Sequence, residues 1–333
     1  MRKHGHMAAF LLAACLCVLS AGCGQGRSVQ EEKEAPLRHF PQMKLPAVCT
    51  EPEQARQYTL EHYWDAFFAQ DGRSDSLAIL GVANGEVEQA LSNYIQILLL
   101  YKQQASPEQL QPLERCSHSI RTFFAQLEER QRADTAAHTC RLMTEMVARY
   151  LYDPNSPMRD EDLYLPFAQA VADSPFTRPE LREAYRHEAR MCALNRFGEQ
   201  MADFRFQLPG GRRESLYGVN TQYILLFFSN PGCRSCQEIV AQLRSRPKLD
   251  AAIASGVVAV LNIYIDEDLE SWRGYLSAYP ENWLNGYDYC FTIRDGGDFN
   301  VRGIPSLYLL DAQKRVLMKD VPTERLLAWL DNL

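Results

Sequence analysis

The apolar run from Tyr223 to Phe228 stops at Ser-Asn-Pro-Gly and passes straight into Cys233-Arg234-Ser235-Cys236-Gln-Glu-Ile-Val. A continuous apolar run bounded by turn formers describes a strand covered on both faces. Cys236 to Leu243 then reads as a helix. A strand that turns this sharply into a helix belongs to a sheet with helices packed on it. The junction also puts two thiols at a helix start. There the free N–H groups and the helix dipole favour a thiolate, and Arg234 adds a positive charge beside them.

The sequence around this junction continues the same way. Ala202 to Leu208 alternates, and Pro209-Gly210-Gly211 turns the chain. Val257 to Ile265 is a second buried strand, followed by a helix from Asp268 to Tyr279. Ser306–Leu310 and Arg315–Lys319 form a hairpin around Asp-Ala-Gln-Lys, and Glu324–Leu333 closes with a helix. Residues 196–333 are therefore expected to form an α/β domain, a mixed sheet with helices on both faces. The fragment Val-Arg-Gly-Ile-Pro-Ser places Pro305 at the start of a strand, where it would lie against the thiol pair.

From Thr50 to Leu194 the apolar period is helical instead. Thr50-Glu51-Pro52-Glu53 has the form of a capping box, and Leu60, Tyr63, Trp64, Phe67 and Phe68 continue one helix from it. Val87 to Leu98, Leu113 to Leu127 and Cys140 to Leu151 carry further apolar stripes, and turn signals such as Asp-Pro-Asn-Ser-Pro separate shorter helices. Residues 45–195 are expected to form an all-α domain of about six helices. Cys116, Cys140 and Cys192 fall on its apolar faces and read as packed core residues.

The formal net charge of −7 and the lack of any basic stripe exclude nucleic acid as a partner. No long internal apolar run suits a membrane span. Arg2 and Lys3 precede an uncharged stretch from Met7 to Leu19, then Ser20-Ala21-Gly22-Cys23, so residues 1–22 read as an export signal. Residues 23–44 are polar and charged, the composition of a flexible tether. A zinc site is not expected: past His187 the chain has no histidine, and past the core residue Cys192 it has Cys290 as the one further thiol beside the pair. Neither a metal nor an organic cofactor is implied.

Three resemblances follow from these residues. Phe-Phe-Ser-Asn-Pro-Gly-Cys-Arg-Ser-Cys with Val-Arg-Gly-Ile-Pro-Ser-Leu-Tyr-Leu-Leu-Asp resembles the thioredoxin superfamily over residues 197–333. The spacing is similar to its membrane-tethered TlpA/ResA-like branch. The resemblance implies that Cys233 is the nucleophile, Cys236 the resolving thiol and Pro305 a cis-proline. Ile304 would pair with an incoming peptide, and Gly232 and Arg234 would flank it. It implies exchange with protein thiols and disulfides, mostly reducing or isomerising, fed by a membrane thiol donor. The alternative is a thioredoxin-like binding protein with a static disulfide and a helical recognition domain.

The chain departs from thioredoxin where Phe227 replaces a buried acid, Gly232 a tryptophan and Val260 a lysine. Asp266 or Glu267 is then the candidate proton acceptor. Residues 45–195 resemble a helical domain of unknown function that recurs before thioredoxin-like domains in bacterial lipoproteins. Ser20-Ala21-Gly22-Cys23 resembles a lipobox, which makes Cys23 the lipidation candidate, with an ordinary cleaved signal as the alternative. These features place the expected protein in the bacterial envelope, facing the periplasm, held to a membrane by its lipid alone. The glycine after Cys23 leans toward the outer membrane.

Overall fold

The structure is a computed structural model that describes residues 36–333. The export segment, Cys23 and the first part of the tether lie outside those residues. The later tether residues are packed: Arg38 bridges Val82, and the Phe40 ring meets Trp64 and Phe67 at 5.6 and 5.2 Å.

The helical region comprises α1 (Pro52–His62), α2 (Asp65–Phe68), a small hairpin of β1 (Ala78–Ile79) and β2 (Val82–Ala83), then α3 (Asn84–Lys102), α4 (Gln111–Ala133), α5 (Thr139–Leu151), α6 (Glu161–Asp173) and α7 (Pro179–Cys192). Three local expectations are corrected. The capping box does not form: Pro52 takes the first helical position, which suits its fixed φ. Glu51 becomes the N-cap without a side-chain bond. The Glu53 carboxylate instead accepts from Arg56 and from the Tyr101 hydroxyl. The single helix expected through Phe68 breaks after His62. The break lets Trp64 bury, 3% exposed, among Phe67, Phe68 and Phe123. The β1–β2 hairpin, unannounced by any apolar alternation, turns on Leu80 and Gly81, both at positive φ.

The second region comprises β3 (Arg205–Gln207), β4 (Arg213–Ser215), β5 (Tyr223–Phe228), α8 (Arg234–Arg244), α9 (Pro247–Ala254), β6 (Val258–Tyr264), α10 (Leu269–Tyr275), β7 (Leu284–Tyr287), α11 (Thr292–Asp295), β8 (Ser306–Asp311), β9 (Val316–Met318) and α12 (Thr323–Asp331). Seven strands form one mixed sheet in the order β4-β3-β7-β6-β5-β8-β9. Central β5 runs parallel to β6 and antiparallel to β8. Its side chains alternate. Leu225 and Phe227 pack with Ile239, Val240 and Leu243 of α8 and with Leu326 and Leu330 of α12. Ile224, Leu226 and Phe228 pack on the other face with Leu261, Ile263 and Ile293 of α11. Each such side chain taken out of water contributes about 1.5–3 kcal/mol. The fold class is as the sequence implied: a helical region, then a thioredoxin-like mixed sheet.

Residues Leu37–Leu333 pack as one compact unit. Backbone bridges Phe197–Val316 and Gln200–Arg315 join the segment after α7 to β9.

Candidate functional site

The β5–β8 register builds the site. Phe228, the last residue of β5, pairs with Ser306, the first of β8. The loop leaving β5 toward the cysteines and the loop entering β8 through Pro305 therefore emerge side by side at one end of the sheet. The Ile304–Pro305 peptide bond is cis.

Helix α8 starts at Arg234, so Cys233 is its N-cap, one position outside the first turn where the sequence had put it. Its sulfur accepts the Cys236 N–H at 3.2 Å, taking one of the amide donors a helix start leaves without a partner. Cys233 and Cys236 form a disulfide with Cα atoms 5.2 Å apart. Cys236 is buried, 2% exposed, whereas Cys233 is only half-buried. A partner sulfur therefore has access to Cys233 and not to Cys236.

The other candidate residues are placed as follows. Gly232 is exposed at φ +72°, a conformation that glycine adopts freely and tryptophan does not. Arg234 is exposed, and its guanidinium lies 3.1 Å from Glu238. Ile304 is partly buried and touches the apolar clusters on both faces of the sheet. Asp266 accepts from Asn230 at 2.6 Å, and Glu267 pairs with Arg294 at 2.8 Å. Phe227 and Val260 are buried in the core beside Cys236.

The cavity beside Cys236 has no carboxylate in its lining. Cys236 and Tyr279 share the lining of a cavity of about 300 Å³. The Tyr279 hydroxyl is 3.0 Å from Ser229 Oγ, which donates to Asn262 Oδ1 at 2.6 Å. Burial raises the Tyr279 hydroxyl above its ordinary value. It keeps its proton at neutral pH. Asn262 sits opposite Phe227 in the β5–β6 register. This polar chain was missed in the sequence because Asn262 reads there as one more residue of the buried strand Val257 to Ile265, with nothing local to name its partners.

Residues 220–316 match a family described as thioredoxin-like. Residues 22–195 match the model of a domain of unknown function, DUF5106. A thioredoxin-like protein from Bacteroides caccae is 33% identical, with 89% of this chain and 99% of that chain covered and a TM-score of 0.74. The chain belongs to the DUF5106 family. Its C-terminal domain is thioredoxin-like. The C-terminal domain of an uncharacterized Bacteroides fragilis protein is 36% identical, covering 41% of this chain and 98% of that one at a TM-score of 0.40. The thioredoxin domain of a thiol-disulfide oxidoreductase from Bacteroides vulgatus is 17% identical, covering 41% and 96% at 0.37. No curated protein matches.

In this DUF5106 protein the helical region reaches the cis-proline loop through charged groups that sequence reading passed over. Asp160 caps α6, and Glu161 and Asp162 open it, all three buried. Glu161 lies 2.7 Å from both Arg302 and Lys319. Arg302, three residues before Pro305, also pairs with Asp320 at 3.1 Å, donates to the Tyr152 carbonyl and lies over the Tyr152 ring, 4.4 Å from its centroid. Asp160 and Asp162 share the Lys102 ammonium at 2.6 and 2.8 Å, and Arg325 of α12 reaches Asp160. The one available signal was Arg-Asp-Glu-Asp ahead of an apolar helix: acids at a helix N-terminus are favoured by its dipole, but nothing local names their partners.

The remaining thiols separate by burial. Desolvation pushes the Cys116 and Cys140 thiols up to about 12, and Cys192 rises for the same reason. Cys49 is half-buried and Cys290 exposed. Iodoacetamide at pH 8 is expected to modify Cys290 in the folded, oxidised chain at least about a hundredfold faster than Cys116 or Cys140, because only thiolates react. Peptide mapping after timed quenching reads this. Equal rates would contradict the buried packing.

Proposed function

We propose that this protein exchanges disulfides with client proteins through Cys233 and Cys236. The observation that carries the reading is one arrangement: an accessible helix-capping sulfur, joined to a buried one, beside the Pro305 loop. In the reducing direction a dithiol donor first opens the disulfide, giving up two electrons and two protons and leaving as a disulfide. The Cys233 thiolate then attacks a client disulfide, forming one S–S bond and expelling a client thiolate, which takes a proton. The Cys236 thiol loses its proton and attacks Cys233, restoring the intramolecular disulfide and releasing the second client sulfur as a thiol. Isomerisation uses the first attack and its reversal, with no net electron transfer. Cys233 is the nucleophile, Cys236 the resolving thiol, Pro305 and Ile304 the peptide-facing loop, with Gly232 and Arg234 flanking the entry. Asp266 and Glu267, the candidate proton acceptors for the Cys236 thiol, are engaged with Asn230 and Arg294; Tyr279, which shares the Cys236 cavity, keeps its own proton and is no acceptor in their place.

The reading places the chain in the cell envelope, held by a lipid on Cys23 and supplied by a membrane-bound dithiol carrier. The basic start, apolar stretch and Ser-Ala-Gly-Cys of residues 2–23 support this.

A second reading, a binding module with an idle disulfide, is favoured by Phe227 and Val260, which leave apolar groups where a carboxylate and a lysine would assist the resolving thiol. The reduction potential separates the two. Equilibration with glutathione and dithiothreitol buffers is expected to give a value between about −270 and −120 mV, the span of exchange-active pairs. A value below about −300 mV marks a structural disulfide and sinks the exchange reading.

A further inference from the structure

The helical region forms part of the wall of the cleft into which the Pro305 loop faces. A cleft of about 450 Å³ is lined by Ser235 and Ile239 of α8, by Gly303 and Pro305, and by Pro154 and Asn155 from the loop between α5 and α6. Its two sides come close together: a Cβ placed on Gly303 would stand 4.0 Å from Pro154 Cβ. The loop is held in shape. Asn155 donates from its backbone and its side chain to Asp153 Oδ1, and Ser156 donates to the Tyr150 carbonyl and accepts from Met158 N–H. The neighbouring Arg302 is fixed to Glu161 and Tyr152, so loop and cis-proline segment are anchored to the same helical scaffold.

The charges at the cleft are unequal. Arg159 lines it, but its guanidinium is bound to the carbonyls of Asp320 and Val321. Asp320 is buried and engaged with Arg302 and Ser306. Glu238 and Glu324 are exposed on the lining, Glu238 in contact with Arg234. Arg234 at the entry offsets Glu238, so the acidic charge that the lining offers an incoming chain is that of Glu324.

We propose that the DUF5106 region is the client-selecting element of this protein: its Pro154–Asn155 loop completes the peptide groove, and the groove takes an extended segment carrying a basic side chain that meets Glu324. This rests on the exchange reading above and says which clients that site accepts. A preformed rigid wall loses little on binding and rejects shapes that do not fit. The volume is in the range of recognition clefts.

The test uses the full mature chain, reduced beforehand, with three disulfides: 2-hydroxyethyl disulfide, and cysteinyl peptides flanked by lysine or by glutamate, each as its thionitrobenzoate mixed disulfide. Wild type is expected to favour the lysine peptide over the glutamate peptide by about fivefold in kcat/KM, the size of a partly exposed ion pair. Glu324→Lys should erase or invert that preference. Asn155→Trp, an exposed loop change, should lower the ratio of lysine-peptide to small-disulfide kcat/KM by about tenfold. Wild-type ratios in both variants would overturn the inference while leaving exchange intact. Inertness of the wild-type chain toward all three disulfides would overturn the exchange reading, and this inference with it.

Discussion

Cys233→Ser is expected to reduce catalysis of insulin reduction by dithiothreitol to the uncatalysed rate, a fall of at least about a thousandfold, as for removal of other catalytic nucleophiles. The reason is positional. Cys233 caps α8 and is half-buried, whereas Cys236 is 2% exposed in the apolar cluster under the sheet. Without Cys233, the thiol left at the head of α8 is the buried Cys236, which a client disulfide cannot reach. The loss is not one of folding: a disulfide closing so short a loop contributes about 2 kcal/mol, and the sheet and its two apolar faces do not depend on it. Cys236→Ala should behave differently. Its Cys233 still attacks but nothing resolves the product, so client proteins accumulate as mixed disulfides, visible as bands that collapse on reduction. Insulin rates for Cys233→Ser matching wild type would end the exchange reading.

How much of this was legible depended on the range over which each feature is encoded. The β5–Cys233–α8 junction and the β8–β9 hairpin were readable because their signals are local. An apolar run, a Pro-Gly turn and a two-strand alternation fit within a dozen residues. Pro305 at a strand start was readable locally, but its cis bond came through resemblance, and its place beside the cysteines is fixed by a β5–β8 register that spans the domain. Helix α9 went unread because Pro247-Lys-Leu-Asp-Ala-Ala-Ile-Ala is too short to show a period. The break between α1 and α2 answers to the packing of Trp64 in the aromatic cluster, a tertiary demand that overrides local helical periodicity. Least legible was the joint between the two regions. Lys102, Asp160, Glu161, Arg302 and Arg325 are ordinary charged residues in the sequence, and burial alone makes them a network. The helical region therefore read as a separate neighbour of the site when its Glu161 anchors Arg302, three residues ahead of Pro305.

Lys102→Met is expected to be the most destabilising single change in the helical region, by about 3–5 kcal/mol at pH 7, the cost of leaving buried charge without its partner. Lys102 places its ammonium 2.6 Å from Asp160 and 2.8 Å from Asp162, with these side chains only 10%, 3% and 2% exposed. Methionine fills similar space, so the deficit is electrostatic and not a cavity. The pH dependence identifies it. Burial alone would raise the Asp160 carboxyl, but Lys102 and Arg325 outweigh it and hold it below its ordinary value. A carboxylate whose native pKa is depressed adds stability that is complete above the unfolded value of about 3.9 and is lost as pH falls through the native value. Removing Lys102 takes away the larger share of that depression. The deficit of the variant should therefore be greatest near neutrality and shrink as pH falls toward about 4, where Asp160 in the variant takes up a proton. Urea denaturation of both proteins across this range measures it. A deficit that stays constant with pH would mean that the joint is held by packing, with the ammonium as a bystander.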